Sequence, residues 1–415
     1  MRYQPKKHVL FLSDDPPSHS GHGGLVYSHF LLSALARHGY SFSFAYIDPY
    51  ARFARPFVKV GHSDVVGWKQ VAGYCWSPWW QQWAHWVLRG VGRRLGFGNH
   101  RPRIGHVAAK QISRGIADLA GKQGACAVLI ADTRNLESIE RCYMGSVAVH
   151  AVTYDVVSDR SALFANAGWS PNFAMMDRRK EAQLLQKTDC VVAISDEDAS
   201  RLREFVDGPE IVTLFPPLCE QMEPVRDAPS DQGSPITCLF VGGGSPHNID
   251  AVETLLRVWW RLLESGSNTR LKIIGGVCSA FASVALPESV MLVGRVESLR
   301  QAYAQADISL AIVFRGTGVK LKLVEAIAYG LPAISSTEGL RGYPQDIWNE
   351  IPTADDEDEL LELLNQLETE PSLLGQMRQA TERLRTSTLS VDSLTRAYLN
   401  RLGDDFALRG AKNGM

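Results

Sequence analysis

The chain has 415 residues, and its 43 Lys and Arg against 45 Asp and Glu give a formal net charge of −2. Hydrophobic residues make up 45% and charged residues 21%, a globular composition that excludes a wholly disordered chain. The length predicts two or three domains, since a domain typically holds about 150 residues. The near-neutral charge gives no reason to expect nucleic acid as a partner.

The cysteines and the N-terminus bear on localisation. No two of the seven cysteines have C-x-x-C spacing, and several lie in apolar runs, such as Cys190 in DCVVAIS. We therefore expect buried, reduced thiols and a reducing compartment. The first apolar run is too short for a signal peptide, and no run of about 18 apolar residues could span a membrane. The expected location is cytoplasmic, with peripheral contact to the inner face of the cell membrane as an open alternative.

Short apolar segments alternate with helix-length segments in two blocks. In the first block the predicted strands are His8–Ser13, Ser41–Ile47, Cys126–Asp132, Ser146–Asp155, Asp189–Ser195 and Ile211–Phe215. In the second block they are Ile236–Gly242, Leu271–Gly276, Ser289–Gly294, Ile308–Phe314 and Pro332–Ser336. Nearly continuous apolar runs are typical of parallel strands that helices cover on both faces. The alternation predicts two open α/β sheets with right-handed crossovers.

A proline-rich segment separates the two blocks. Residues 216–235 lack apolar periodicity and read as a linker. We therefore expect an N-terminal Rossmann-like domain over 1–215 and a C-terminal Rossmann-like domain over 236–390. Residues 391–415 are expected to form a C-terminal helix, and its return to the N-terminal domain is an open alternative.

Two loops of the first block follow strands, where open α/β sheets bind ligands. Gly21, Gly23 and Gly24 precede a helix, so their backbone can approach a phosphate, although a flexible turn is an alternative. His22 is either a ligand contact or a solvated loop residue. The loop has no G-x-G-x-x-G or Walker A spacing, which disfavours a dinucleotide-binding dehydrogenase. Asp155 follows a strand and either contacts a substrate hydroxyl or caps a helix.

The most specific loop lies in the second block, within FRGTGVKLKLVEAIAYGLPAISS. A strand ends in the turn Gly316–Gly318, and a helix then begins with Lys320 and Lys322 and carries Glu325. The positive end of the helix dipole and the two lysines favour a multiply charged anion. A carboxylate one turn further on can accept hydrogen bonds from the vicinal hydroxyls of a ribose. This pattern predicts a nucleotide site.

The segment GTGVKLKLVEAIAYGLPAISSTEGL resembles the donor-binding signature of the group 1 glycosyltransferases, which are retaining enzymes of the GT-B fold. The stretches Glu181–Leu202, Leu239–Leu256 and Leu292–Val313 are also similar to that family. The resemblance covers most of residues 181–340, whereas the first 180 residues match only in outline.

The resemblance implies the GT-B architecture, with two Rossmann-like, doubly wound parallel-sheet domains facing a central cleft. The C-terminal domain would hold a nucleotide diphosphate sugar as donor substrate, and the N-terminal domain would hold the acceptor. The implied reaction is sugar transfer, with retention, to a glycan, a lipid-linked glycan or another hydroxyl acceptor in the synthesis of cell-surface polysaccharide or glycoconjugates. No metal or other cofactor is implied.

The resemblance also assigns roles to residues. Glu325 would bind the ribose, Lys320 would neutralise the diphosphate with help from Lys322 and Arg315, and Lys320, Glu325 and Asp155 are the expected catalytic residues. The residues expected to contact the donor are Gly21, His22, Gly23, Gly24, Gly242, Gly243, Gly244, His247, Gly294, Arg295, Arg315, Gly316, Thr317, Gly318, Val319, Lys320, Lys322 and Glu325.

The sequence departs from the family at two places. Thr317 stands where the family often has a Glu, eight residues before Glu325, and the loop Gly242–Gly244 lacks the Arg and Lys that many members carry. More of the diphosphate charge must then rest on Lys320 and Lys322. A non-catalytic GT-B subunit that acts as an assembly partner and a nucleotide-sugar epimerase are the alternative functions.

The run Asp196-Glu197-Asp198 matches a D-x-D metal motif only superficially. It follows a predicted strand and opens a helix, so Ser195 and Asp198 are expected to form a capping box. No His and Cys spacing resembles a zinc site. We therefore expect no metal ligands here.

Residues Val65–Ala117 contain no Asp or Glu but eight Lys and Arg. Five tryptophans recur in this segment at intervals of three and four residues, which predicts a helix with one aromatic side, namely Trp76, Trp79, Trp80, Trp83 and Trp86. Three interpretations stay open. The helix packs on the N-terminal domain, residues 69–114 contact an anionic membrane, or the segment binds an anionic acceptor.

Overall fold

The computed structural model describes residues 7–13, 23–47, 57–63, 68–75, 106–171, 173–217, 235–389 and 391–413. The chain divides into two compact units, Met1–Phe215 with Thr395–Met415 and Pro216–Leu394. Each unit contains one sheet that is wholly or mostly parallel, with helices between its strands. The predicted α/β class with two parallel-sheet domains is confirmed.

The first unit holds an eight-stranded sheet in the order β4-β3-β2-β1-β5-β6-β7-β8. Its strands are β1 (His8–Ser13), β2 (Ser41–Ile47), β3 (Phe57–Ser63), β4 (Trp68–Cys75), β5 (Ala127–Ala131), β6 (Ala148–Val152), β7 (Cys190–Ala193) and β8 (Glu210–Thr213). β3 pairs antiparallel with β2 and β4, and all other neighbours in this sheet are parallel. β1 and β5 are buried along their whole length, which explains their largely apolar sequences.

Two strands of this sheet were not predicted from the sequence. β3 reads FVKVGHS and β4 reads WKQVAGYC, and neither contains the continuous apolar run by which the other strands were found. β4 also takes up the beginning of the basic segment. The predicted tryptophan helix, with Trp76 to Trp86, lies outside the described residues.

The helices of the first unit are Gly23–Arg37, His106–Gln123, Val157–Asn166, Arg178–Leu185 and Asp196–Arg203, with short 3₁₀ turns at Thr133–Ser138 and Arg141–Tyr143. At the start of Asp196–Arg203, the Ser195 hydroxyl accepts the N–H of Asp198 at 3.1 Å, which is the expected N-cap hydrogen bond. A hydrophobic core of mainly Leu, Ile, Val and Ala joins the helices to the sheet.

The second unit holds a five-stranded parallel sheet in the order β11-β10-β9-β12-β13. Its strands are β9 (Thr237–Val241), β10 (Arg270–Ile274), β11 (Val290–Gly294), β12 (Ile308–Ala311) and β13 (Ala333–Ser335). Its helices are Pro246–Glu264, Leu299–Ala304, Leu321–Ala328, Gln345–Trp348, Glu357–Thr369 and Pro371–Arg383, with 3₁₀ turns at Gly276–Phe281 and Glu338–Leu340 and a π-helical turn at Leu384–Thr388. Trp259, fully buried, is the largest side chain of its core.

A C-terminal helix, Val391–Asn413, belongs to the first unit from Thr395 onward. Several of its contacts with that unit are polar. The two ring nitrogens of the fully buried His150 on β6 lie 3.0 Å from the Tyr398 hydroxyl and 2.8 Å from an Asp405 oxygen. Arg401 donates to Asp405 at 2.6 Å and pairs with Glu210 at 2.8 Å. These contacts tie the helix to the sheet.

We predict that Asp405→Ala destabilises the first unit. Asp405 is 6% exposed, and its removal leaves Arg401 and His150 without their buried partner. Loss of one member of a buried charge pair lowers the free energy of unfolding by about 3 kcal/mol. Urea unfolding measures this change. The matched control is Asp404→Ala at the exposed neighbouring carboxylate, and equal effects of the two variants would contradict the prediction.

Candidate functional site

The glycine turn of the second unit places Lys320 at the start of the helix Leu321–Ala328. A side chain on Gly316 would put its Cβ 2.8 Å from Cε and 3.0 Å from Nζ of Lys320, so glycine leaves the space that this lysine fills. Gly318 has φ 62°, a conformation that favours glycine. Gly316 thus leaves space for the Lys320 ammonium, and Gly318 allows the turn that precedes this lysine.

Lys320 is 7% exposed, and protein oxygens surround its ammonium. Nζ donates to the carbonyl oxygens of Gly318 at 2.8 Å and Thr317 at 3.3 Å, and it lies 3.6 Å from Glu338 Oε1. The Tyr343 hydroxyl donates to the Lys320 carbonyl oxygen at 2.7 Å and fixes the backbone there. The ammonium thus lies beside the positive end of a helix dipole. An anion bound here would be stabilised by the charge of Lys320 and by the helix dipole.

Lys322 links this helix to the glycine loop Gly242–Gly244. Its Nζ donates to Asn248 Oδ1 at 2.9 Å and lies 3.9 Å from the centre of the Phe240 ring. The Asn248 amide in turn donates to the Gly243 carbonyl oxygen at 3.1 Å. Burial lowers the pKa of Lys322 to about 7, and the charge of Lys320 adds to that shift. The two lysines are therefore close enough to influence each other.

Glu325 is buried on the same helix and has one hydrogen-bond donor. The Tyr303 hydroxyl donates to Glu325 Oε2 at 3.0 Å. The Tyr303 ring stacks on the Tyr329 ring, with 4.9 Å between the ring centroids. Burial raises the pKa of Glu325 to about 7, although this hydrogen bond and the charge of Lys322 act in the opposite direction. The second carboxylate oxygen can accept hydrogen bonds from a ligand.

The glycine loop packs closely against the loop that follows β10. A Cβ on Gly275 would overlap the carbonyl oxygen of Gly242, and a Cβ on Gly276 would lie 3.2 Å from the Gly244 nitrogen and 3.9 Å from Arg295 Nη2. These distances show that the close approach of the two loops requires glycine at position 275 and leaves little room for a side chain at position 276. They also place Arg295 beside the loop pair.

The remaining predicted donor contacts of the second unit lie at different places. Gly294 ends β11 with φ 79°, and its carbonyl oxygen accepts the Gly275 N–H at 2.7 Å. His247 Nε2 is 3.0 Å from the Ser245 hydroxyl. Val319 is buried in the turn. Arg315 is more than half exposed and pairs with Asp250 at 2.9 Å.

In the first unit, the described residues of the predicted loop begin at Gly23, and Gly21 and His22 lie outside them. Gly23 and Gly24 open the helix Gly23–Arg37, and a Cβ on Gly24 would overlap the ring of Tyr154. Asp155 is buried and pairs with Arg160 at 3.1 Å. The residue at the N-cap position of the next helix is Val156.

The cap of that helix, Val157–Asn166, comes from a residue that sequence reasoning missed. The buried carboxylate of Glu181 accepts the N–H groups of Val157 at 2.9 Å and Ser158 at 2.8 Å. Burial raises the pKa of Glu181, against the hydrogen bonds that it accepts. Its distance of more than 20 residues from the helix start leaves no local sequence signal.

Other contributors in the second unit were also missed, namely Asn248, Tyr303, Glu338 and Tyr343. Glu338 follows β13, so a search of every strand end for charged residues finds it. Tyr303 and Tyr343 come from elements about 20 residues away from the helix Leu321–Ala328, and no spacing rule connects them with it.

No group of three or more His, Cys, Asp or Glu side chains in the described residues is arranged to hold a metal ion. Within the same residues, every helix falls short of the length and apolar character needed to cross a bilayer.

Residues 235–370 match the family model described as "Glycosyl transferases group 1". The fold of the chain is similar to that of sucrose-phosphate synthase from Thermosynechococcus elongatus, with a TM-score of 0.66, 15% identity and coverage of 97% of this chain and 100% of that one. It is also similar to HepE from Anabaena in complex with UDP and glucose, with a TM-score of 0.60, 10% identity and coverage of 96% and 100%.

A third similar structure is TarM of S. aureus, with a TM-score of 0.52 and 11% identity. Here 69% of this chain is covered, and the chain spans 57% of the TarM chain. No curated protein matches the sequence. The family model and the shared fold agree with the resemblance: residues 235–370, which lie in the second unit, match the group 1 glycosyltransferase model, and the fold of the chain is the GT-B fold of the similar structures.

We predict that Glu325→Gln makes the protein less sensitive to alkaline destabilisation. Since burial raises the Glu325 pKa from 4.5 to about 7, the folded protein loses stability as the pH rises through that window. Glutamine removes this loss, so the variant gains about 2–3 kcal/mol relative to wild type between pH 5 and pH 8. Urea unfolding at both values measures the gain.

The control for this prediction is Glu288→Gln, at an exposed carboxylate of the same unit. We expect the same stability difference from wild type at pH 5 and pH 8 for this variant. If the stability difference between Glu325→Gln and wild type is also the same at both pH values, the Glu325 pKa is not raised and the prediction is wrong.

Proposed function

We propose that the protein transfers a sugar, with retention, from a nucleotide diphosphate sugar to a hydroxyl group of a glycan, a lipid-linked glycan or a related acceptor. The observation that carries the proposal is the buried Lys320 ammonium at the N-terminal end of the helix Leu321–Ala328, one turn before the buried Glu325 carboxylate. This arrangement offers a cation for a diphosphate and an acceptor of hydrogen bonds for a ribose.

The proposed mechanism places the positive charge where the leaving group develops negative charge. As the glycosidic bond breaks, the departing nucleoside diphosphate gains charge and the sugar becomes oxocarbenium-like. Lys320 and the first N–H groups of the helix stabilise the diphosphate, which is the efficient use of preorganised charge. The leaving phosphate takes the proton of the acceptor hydroxyl. No separate nucleophile is then required.

Glu325 binds the ribose hydroxyls in this proposal, and the glycine loop Gly242–Gly244 lets backbone N–H groups approach the phosphates. Arg295 lies beside that loop pair, which supports a role near the base. Arg315 is a weaker diphosphate candidate, because it is exposed and paired with Asp250. The cationic helix end supplies the stabilisation that a metal ion would otherwise provide, so we propose transfer without a metal.

We propose that the domain over 236–390 binds the donor and that the domain over 1–215 binds the acceptor, with Asp155 as an acceptor contact. The complex of HepE with UDP and glucose makes UDP-sugars the first donors to test. The proposed pathway is the synthesis of cell-surface polysaccharide or glycoconjugates. We also propose a cytoplasmic location with peripheral membrane contact, for which flotation with anionic liposomes is the assay.

The second candidate function is a non-catalytic subunit, and Thr317 favours it because it stands eight residues before Glu325, where the family often has a Glu. A folded protein that binds no nucleotide sugar would support this candidate. An epimerase would instead release an isomerised nucleotide sugar without an acceptor, which product analysis detects.

We predict that Lys320→Ala slows transfer through the chemical step. Removal of one preorganised charge contact raises the barrier by about 2–4 kcal/mol, roughly 30- to 1,000-fold in kcat. The measurement is release of nucleoside diphosphate at saturating donor, with donor affinity from calorimetry. Unchanged kcat and unchanged donor affinity would show that the assignment is wrong.

Two further variants separate the loss of charge from unfolding. Gly316→Ala keeps the lysine but takes the space of its ammonium, so we expect a folded protein with weaker donor binding. Lys122→Ala removes an exposed lysine of the first unit that pairs with Asp118, and we expect wild-type kinetics. Equal kinetics for all three variants would contradict the proposal.

A further inference from the structure

The carboxylate of Glu338 lies beside the Lys320 ammonium and has no role in the mechanism proposed above. β12 and β13 are parallel neighbours, with Ala311 paired to Ser335, so the segments that follow these strands lie at the same edge of the sheet. The glycine turn with Lys320 follows β12, and the 3₁₀ turn Glu338–Leu340 follows β13. The sheet therefore brings a cation and an anion together at the edge where open α/β sheets bind ligands.

The backbone that carries Glu338 is hydrogen-bonded to the segment after β12. The Ser336 hydroxyl accepts the Val313 N–H at 3.0 Å, and it also accepts the Gly339 N–H at 3.1 Å. A Cβ on Gly339 would lie 2.5 Å from the carbonyl oxygen of Ala311, so the turn packs this closely only with glycine at that position. The Glu338 carboxylate thus projects from a backbone that is fixed beside the lysine turn.

Glu338 acts on Lys320 through its charge. Glu338 Oε1 lies 3.6 Å from Lys320 Nζ and 3.8 Å from Arg341 Nη1, and both distances exceed the ordinary range of a hydrogen bond. The ammonium donates instead to the carbonyl oxygens of its own turn. The Glu338 side chain is 25% exposed, so solvent and salt screen its charge only in part.

This carboxylate opposes the attraction of the site for negative charge. An anion at the start of Leu321–Ala328 is stabilised by the Lys320 ammonium and by the helix dipole. Because Glu338 lies so close to that ammonium, an anion that contacts Lys320 also meets the carboxylate at short range. Each further negative charge on the ligand then adds repulsion. The site therefore distinguishes ligands by how many charges they carry.

The proposed reaction changes the charge of the nucleotide. In the donor, the sugar esterifies the terminal phosphate, which carries one negative charge. Transfer breaks the bond between the sugar and this phosphate, and the bonding electron pair stays on the phosphate oxygen. The proton taken from the acceptor hydroxyl passes on to water above the second phosphate pKa of about 6. The released nucleoside diphosphate thus carries one more negative charge than the donor.

We propose that Glu338 selects against the extra negative charge of the product and thereby promotes release of the nucleoside diphosphate after transfer. This inference rests on the proposed transferase function and concerns the same donor site. The Glu338 charge sets the ratio of product affinity to donor affinity. Removal of that charge strengthens binding of both nucleotides, and it strengthens binding of the free diphosphate more.

Calorimetry at pH 8 with matched nucleotides tests the inference. The probes are UDP, GDP, dTDP and ADP, each compared with its glucose ester, and the pair that wild type binds most tightly is used. Glutamine has the shape of glutamate without its charge. For Glu338→Gln we expect the dissociation constant to fall about tenfold for the diphosphate and about threefold for the ester. Product inhibition of transfer should become stronger by the same factor as binding of the diphosphate.

Two further variants separate an effect of charge from a change in the shape of the site. Glu338→Asp keeps a carboxylate, so we expect a ratio of the two dissociation constants close to that of wild type. Glu350→Gln removes a carboxylate of similar exposure from an ion pair with Arg383 that does not include Lys320. Both dissociation constants of this control should stay at the wild-type values.

The outcomes distinguish this inference from the proposed function. An unchanged ratio of the two dissociation constants in Glu338→Gln would overturn the inference, and so would an equal shift of that ratio in Glu338→Asp. Either result leaves the proposed transfer reaction in place. A wild-type protein that binds none of these nucleotides would instead refute the proposed donor site, and the inference with it.

Discussion

Burial of a positive charge at a helix start is the constraint on which the second unit depends. Lys320 gives up most of its hydration on burial, and two turn carbonyls and Glu338 lie around its ammonium instead. The helix dipole adds unfavourable positive potential at the same point. A multiply charged anion would offset both the lost hydration of Lys320 and the positive potential of the helix dipole. This gives a physical reason to propose a diphosphate here. The ammonium group of Lys320 is held in place by the turn glycines, by Tyr343 and by the neighbouring loops.

The starts of two helices, one in each unit, differ in the charge of the side chains around them. In the second unit the helix Leu321–Ala328 has two lysines near its first turn, one of which also reaches the glycine loop through Asn248. In the first unit Glu181 accepts the N–H groups of Val157 and Ser158 at the start of Val157–Asn166. Nearby arginines are paired with aspartates, Arg134 with Asp132 and Arg160 with Asp155.

The sequence predicted most of what is local. Continuous apolar runs identified the buried parallel strands, and the glycine turn with Lys320 and Glu325 was recognised from its spacing. Strands β3 and β4 were missed because their apolar residues are interrupted by polar residues and glycine. Other partners were missed for another reason: Tyr303 and Tyr343 contact the helix Leu321–Ala328, and Glu181 caps the helix Val157–Asn166, through tertiary packing that no spacing in the sequence encodes. For Asp155 the sequence left two roles open, and the structure adds an ion pair with Arg160.

The most direct test is a crystal structure of the protein soaked with a UDP-sugar. The account predicts diphosphate oxygens within hydrogen-bond distance of Lys320 Nζ and of the first N–H groups of Leu321–Ala328, with the ribose hydroxyls on Glu325. A nucleotide bound elsewhere, with Lys320 still held only by its own turn and Glu338, would contradict it.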